Sequence, residues 1–205
     1  GKIMEVLVNI HHVKCPDFLS KEKCQPAFVK EEDIMECMTG WQSVLREHPN
    51  MFDIEPLREI CENINEWNRI LFDGNSCFNH GDFHFDNLLA DTSGNIVVVD
   101  WQNCGLGNRA GDIAFLLSRL SADGFALEVD KISELYCKSA EKNGIRISAK
   151  EIQQQMCLAN LNTSFLFWHV YLHGSTKKRV GDIYEKMVKD AKVVRNAIYE
   201  KVTDA

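Results

Sequence analysis

The densest gathering of imidazoles and carboxylates in the chain is the run His80, Gly81, Asp82, Phe83, His84, Phe85, Asp86, Asn87. It sits between two short apolar segments, Cys77 to Asn79 and Leu88 to Ala90, where a merely solvated loop has no reason to concentrate carboxylates. After a Ser93-Gly94-Asn95 turn the β-branched segment Ile96 to Val99 ends on Asp100. A hairpin of Leu88-Leu89-Ala90 against Ile96 to Val99 returns Asp100 to the side of the loop, and Asp82, Asn87 and Asp100 then surround one point. Their oxygens are hard ligands suited to Mg²⁺, which keeps several waters and binds through one or two carboxylates plus substrate phosphates. A second chemistry is open: on a strand His80, Asp82, His84 and Asp86 share a face and could converge on zinc, as in a metal-dependent hydrolase. That reading leaves Asn87 and Asp100 without a role.

The pattern resembles the aminoglycoside phosphotransferase and choline kinase superfamily, with its catalytic loop H-G-D-x-x-x-x-N and a metal-binding Asp at a strand end in D-W or D-F. Here these are His80 to Asn87 and Asp100-Trp101. The resemblance implies transfer of the ATP γ-phosphate to a hydroxyl of a small molecule such as an aminoglycoside, choline or a related sugar or amino alcohol, with Mg²⁺ and ATP as cofactors. It makes Asp82 the catalytic group that accepts or orients the proton of the attacking hydroxyl. Asn87 and Asp100 become the metal ligands, and Leu89 and Val99 the apolar floor under adenine. His80 would shape the loop. Asp112, in a Gly107…Gly111-Asp112 segment like the family's, would support the loop through backbone N–H groups or cap a helix. His84, Trp168 and Tyr171 are the expected substrate-pocket residues, the last two on a helix where the family often builds its acceptor pocket.

These groups need elements to hold them. Ile34, Met38, Trp41 and Leu45 recur at helical spacing, as do Leu57, Ile60, Cys61, Ile64, Trp67 and Leu71 after Pro56. Asp73-Gly74-Asn75 is turn-like. Beyond Gly111 the periodicity predicts a helix through Ile113 to Leu120, one from Val129 to Asn143-Gly144, one over about Ser148 to His173, and a last carrying Ile183, Met187, Ala191, Val194 and Ile198. Gly105 to Gly111 reads as a loop of positive-φ glycines, with the wrong spacing for a dinucleotide fingerprint. His169 and His173, at i, i+4 beside Trp168 and Tyr171, could form a metal pair or part of a substrate wall, but aromatic core packing is the favoured reading; Lys177-Lys178-Arg179 reads as a solvated turn before the last helix. The expected fold is α+β: a mostly helical, kinase-like C-terminal lobe with a small, buried central hairpin carrying the catalytic loop.

A complete kinase of this kind needs an N-terminal lobe with a glycine-rich turn, a phosphate-binding Lys and a Glu to hold it. The residues before His80 read as helices instead, and Val6 to His12 resembles the family's first helix after the interlobe hinge. Residues 1–205 are therefore expected to form the C-terminal lobe alone, either as a fragment or as a chain that naturally lacks the nucleotide lid. The alternative function is a non-catalytic, pseudokinase-like module that binds a partner. A net charge of −7 disfavours nucleic acid as a partner. Eight scattered cysteines without C-x-x-C read as reduced thiols in a cytoplasmic protein. Val6 to Ile10 is too short for a signal segment, and nothing approaches the roughly 18 apolar residues of a membrane span. Oligomeric state is not readable from the sequence.

Overall fold

The computed structural model describes residues 1–17, 19, 29–72, 74 and 76–203. They form α1 (Lys2–His12), α2 (Glu31–Arg46), α3 (Glu55–Phe72), β1 (Ser76–Asn79), β2 (Leu88–Ala90), β3 (Ile96–Val98), β4 (Gly105–Asn108), α4 (Arg109–Ala122), α5 (Val129–Lys142), α6 (Ala149–Leu172) and α7 (Lys177–Thr203). This is the expected α+β composition, mostly helix. Two compact units divide the chain: Gly1–Ala27 with Gly74–Met156, and Phe28–Asp73 with Cys157–Ala205.

The first unit holds all four strands, in two antiparallel pairs. β2 pairs with β3 with Leu89 opposite Val97, the hairpin read from the sequence. β1 pairs with β4, with Phe78 opposite Leu106. This second pair corrects the reading of Gly105 to Gly111 as a loop: its glycines do not have positive φ, and Gly111 lies inside α4. Gly107 is needed for closeness instead, because a Cβ there would stand 3.1 Å from Asn79 Oδ1. The hairpin is also less buried than expected, with Leu89 52% and Val97 44% exposed. α1 packs on α5 and β1. It presents Met4, Leu7, Val8 and His11 at the i, i+3, i+4, i+7 spacing of one buried face. α4 starts because Asn108 caps it, its side-chain oxygen accepting from Ala110 N at 2.8 Å.

The second unit is a helical core. Trp41, Leu57, Ile60, Ile64, Leu158, Leu161, Phe165, Met187 and Val194 are fully or almost fully buried in one cluster. Trp41 and Trp67 are both core residues, and the Trp41 indole N–H donates to Phe165 O at 2.9 Å. His169 packs on Gly40, where a Cβ would run into its ring, and its Nδ1 has no hydrogen-bond partner among the described residues. His173 corrects the core-packing reading: it is exposed and meets Glu47 at 2.8 Å, so the two imidazoles do not act as a pair.

No described helix is long and apolar enough to cross a membrane. Cys15, Cys37, Cys61, Cys77, Cys104, Cys137 and Cys157 are free thiols. Cys24, and Asp73 and Asn75 of the turn expected before β1, lie outside the described residues.

Candidate active site

The chemistry-bearing loop runs from β1 to β2 and closes in a 3₁₀ turn over Phe85–Asn87. It leaves β1 through Gly81 at φ 79°, and a Cβ at that position would stand 2.3 Å from Asn103 O. Only glycine fits. Asp112, at the start of α4, ties the loop from behind: its Oδ2 accepts from His80 N and its Oδ1 from Gly81 N, each at 2.9 Å. His80 is fully buried. Its Nε2 bonds Val99 O at 2.9 Å, and its Nδ1 accepts from Asp82 N at 3.3 Å, which fixes the tautomer with the proton on Nε2. One imidazole thus joins the loop to the end of β3. It sits edge-on to Trp101 at 4.7 Å.

Asn87 turns its amide nitrogen into the loop, toward Asp82 O at 2.9 Å, Asp82 Oδ2 at 3.4 Å and His84 Nε2 at 3.2 Å. With the nitrogen so engaged, the side chain's other polar atom is Oδ1, an acceptor. Val99 N donates to Asn87 O at 3.0 Å, continuing the β2–β3 ladder and bringing Asp100 alongside the 3₁₀ turn. Asp100 is exposed, with left-handed backbone (φ 62°, ψ 63°), and though it begins the 3₁₀ turn Trp101–Asn103 its side chain caps nothing. A carboxylate without a partner among the described residues, held in a conformation that costs energy for a non-glycine residue, is a common mark of a working site. An amide oxygen and a carboxylate are a hard donor pair, and they fit Mg²⁺ completed by phosphate and water.

The zinc reading does not survive this geometry. The run His80 to Asp86 bends through a 3₁₀ turn instead of alternating on a strand, and both nitrogens of His80 are engaged. Asp86 points to solvent, with Arg119 at 3.5 Å. No three His, Cys, Asp or Glu side chains among the described residues converge as ligands. His84 stays beside Asp82 and Asn87. The 3.2 Å amide contact makes its Nε2 an acceptor, so Nδ1 carries the proton and faces Asp86 Oδ2 at 3.4 Å. Its Nε2 to Asp82 Oδ1 approach, 3.5 Å, is then proximity without a shared proton.

Of the other expected residues, Leu89 is exposed on β2 and Val99 half-buried beyond β3. Trp168 and Tyr171 belong to the second unit, with Trp168 half-buried, Tyr171 exposed, and rings 6.5 Å apart edge to face. Sequence reasoning missed His11 and Tyr136. His11 Nε2 lies 3.3 Å from Asp112 Oδ2 and its Nδ1 2.8 Å from the Tyr136 hydroxyl. The signal was there: a histidine on the apolar face of α1. Burial pushes the Tyr136 hydroxyl well above its usual range and the Cys77 thiol up to about 12, the neighbouring Arg109 only partly opposing.

Residues 3–146 match the model of a phosphotransferase enzyme family. An ADP-bound aminoglycoside phosphotransferase, APH(2'')-Ib, is similar at 14% identity with a TM-score of 0.57, covering 94% of this chain and 64% of that one. Choline kinase LicA from Streptococcus pneumoniae is similar at 15% identity and TM-score 0.55, covering 93% and 62%. The gentamicin complex of APH(2'')-IIa gives 17%, 0.55, 94% and 60%. The chain thus spans between 60% and 64% of the length of these structures. The α+β fold is theirs, the kinase-like arrangement anticipated from the loop. No curated protein matches the chain.

Proposed function

The chain belongs to the phosphotransferase enzyme family, and from that premise we propose that residues 1–205 are the C-terminal, catalytic lobe of a small-molecule kinase that moves the ATP γ-phosphate to a hydroxyl. The observation that carries the reading is the placement of Asn87 and Asp100. Val99 N donates to Asn87 O at the end of the hairpin and so brings the next residue, Asp100, beside Asn87, whose amide nitrogen is taken up inside the loop. The Asp100 carboxylate meets no partner among the described residues.

Asp82 is the group that meets the acceptor hydroxyl. Its carboxylate accepts that proton or orients it as the oxygen attacks phosphorus. Asn87 holds the Asp82 main chain through Nδ2 and would use Oδ1 on the metal, so one side chain would link base and metal ligand. Asn87 and Asp100 would hold Mg²⁺, which when bound neutralises charge on the nucleotide phosphates. Leu89 and Val99 would contact adenine. His84, already against Asp82 and Asn87, borders the acceptor side. The relatives' names point to aminoglycosides and choline as acceptor classes. A cationic amino alcohol or amino sugar also suits a chain of net charge −7.

The test is calorimetric titration of this chain with ATP and Mg²⁺, alongside Asp100→Ala. Binding lost in the variant supports the metal role and licenses an acceptor screen. Equal binding by both sinks the assignment of Asp100. Binding by neither favours a non-catalytic module, or a site that needs further chain.

A further inference from the structure

A continuous chain of buried polar contacts runs from α5 through α1 to α4 and ends on the first residues of the loop. Tyr136 meets His11 Nδ1 at 2.8 Å, His11 Nε2 meets Asp112 Oδ2 at 3.3 Å, and Asp112 receives the backbone N–H groups of His80 and Gly81. The side chain of His11 is 0% exposed and that of Asp112 2%. A carboxylate this deep needs donors on its oxygens, and three N–H groups reach those of Asp112.

We propose that His11 is a positioning residue for the phosphotransfer loop, donating from Nε2 the third hydrogen bond that holds Asp112 in its bidentate grip on His80 and Gly81. Tyr136 keeps that donor in place. Its hydroxyl lies 2.8 Å from His11 Nδ1, and with the phenol O–H donating there the imidazole proton sits on Nε2, facing Asp112. The arrangement parallels the way a ligating histidine is oriented by the group behind it, with a carboxylate in place of the metal. The first helix thereby sets the backbone from which Asp82 projects two residues further on. The catalytic meaning of this role rests on the phosphotransfer reading of Asp82, whereas the geometry can be tested without turnover.

The test is amide hydrogen exchange of the chain and its variants His11→Leu, His11→Gln and Tyr136→Phe. With His11→Leu, His80 and Gly81 amides should exchange about tenfold faster or more, while β1 and β4 amides stay within about twofold. His11→Gln, which restores an N–H donor at similar reach, should recover most of the difference. Tyr136→Phe should give an intermediate effect confined to the same two amides. Uniform acceleration over β1, β4 and the loop, or no rescue by glutamine, would reduce His11 to packing and overturn the proposal. Imidazole ¹⁵N spectra of the unaltered chain need no variant to fold: His11 protonated on Nε2 is expected, and a proton on Nδ1 alone would sink it. Neither readout depends on ATP, so a chain that fails to bind nucleotide leaves this result standing on its own.

Discussion

At the scale of single residues, the site is a set of backbone positions that tolerate few alternatives. Gly81 and Gly94 share nearly the same positive φ, 79° and 76°, yet only Gly81 meets a wall. Gly94→Ala should cost about 1 kcal/mol from the left-handed backbone alone. Gly81→Ala should cost roughly 2–4 kcal/mol, because the new Cβ also drives Asn103 O away. Urea denaturation of both variants separates strain from clash, and equal losses would show that Asn103 simply moves. Asp82→Asn keeps the main-chain oxygen that Asn87 holds, so the loop should survive while turnover falls about 10²- to 10⁴-fold in an enzyme competent to turn over. Retained turnover would remove Asp82 from its role. These residues were legible in the sequence because the chemistry allows few residue types at each spacing. The His11 contact was not, since it joins residues 101 positions apart.

At the scale of elements, helices and hairpin were readable wherever periodicity repeats. Failures came where tertiary contact overrides local preference. β4 is Gly-Leu-Gly-Asn, a poor strand by composition, and it forms because β1 supplies the ladder and Gly107 lets Asn79 approach. Lys177-Lys178-Arg179 opens α7 instead of preceding it, although three cations at a helix N-terminus oppose the macrodipole. A Lys178 to Asp182 contact at 3.0 Å offsets part of that. Asn108 joins β4 to the site-bearing helix: it caps α4, and its carbonyl accepts from Asn79 Nδ2 at 2.8 Å. Asn108→Ala should cost about 1 kcal/mol through the lost cap, read as a lowered urea midpoint. Ser148→Ala, which removes the cap built with Glu151 at α6, should cost a similar amount. A loss at Asn108 well above that at Ser148 would show that α4 and the loop unfold together.

For the molecule as a whole, the buried titratable groups set how stability follows pH. Burial raises the thiols of Cys37, Cys61, Cys77, Cys137 and Cys157, those of Cys77 and Cys157 to about 12 from an ordinary 9.0. Between those values the unfolded chain has released protons that the folded chain still holds, so stability must fall as pH rises above 9.0. Asp190 acts in the same sense at the acid end. Although Lys186 lies 3.0 Å away, burial outweighs the pairing and lifts the carboxyl above its ordinary 3.8, so ionising it on the way up in pH also costs stability. Glu47, Glu66 and Asp91 are shifted down and work the other way, but they are exposed and solvent-screened, so their contribution is small. Urea midpoints measured across pH should therefore decline on the alkaline side. Cys77→Ala and Cys157→Ala should each flatten that decline while lowering the whole curve by a pH-independent cavity cost. Asp190→Asn should flatten the slope just above pH 3.8. Alkaline slopes unchanged in both cysteine variants would mean that these thiols ionise as readily in the folded chain as in the unfolded one, and that their burial is looser than the packing around them indicates.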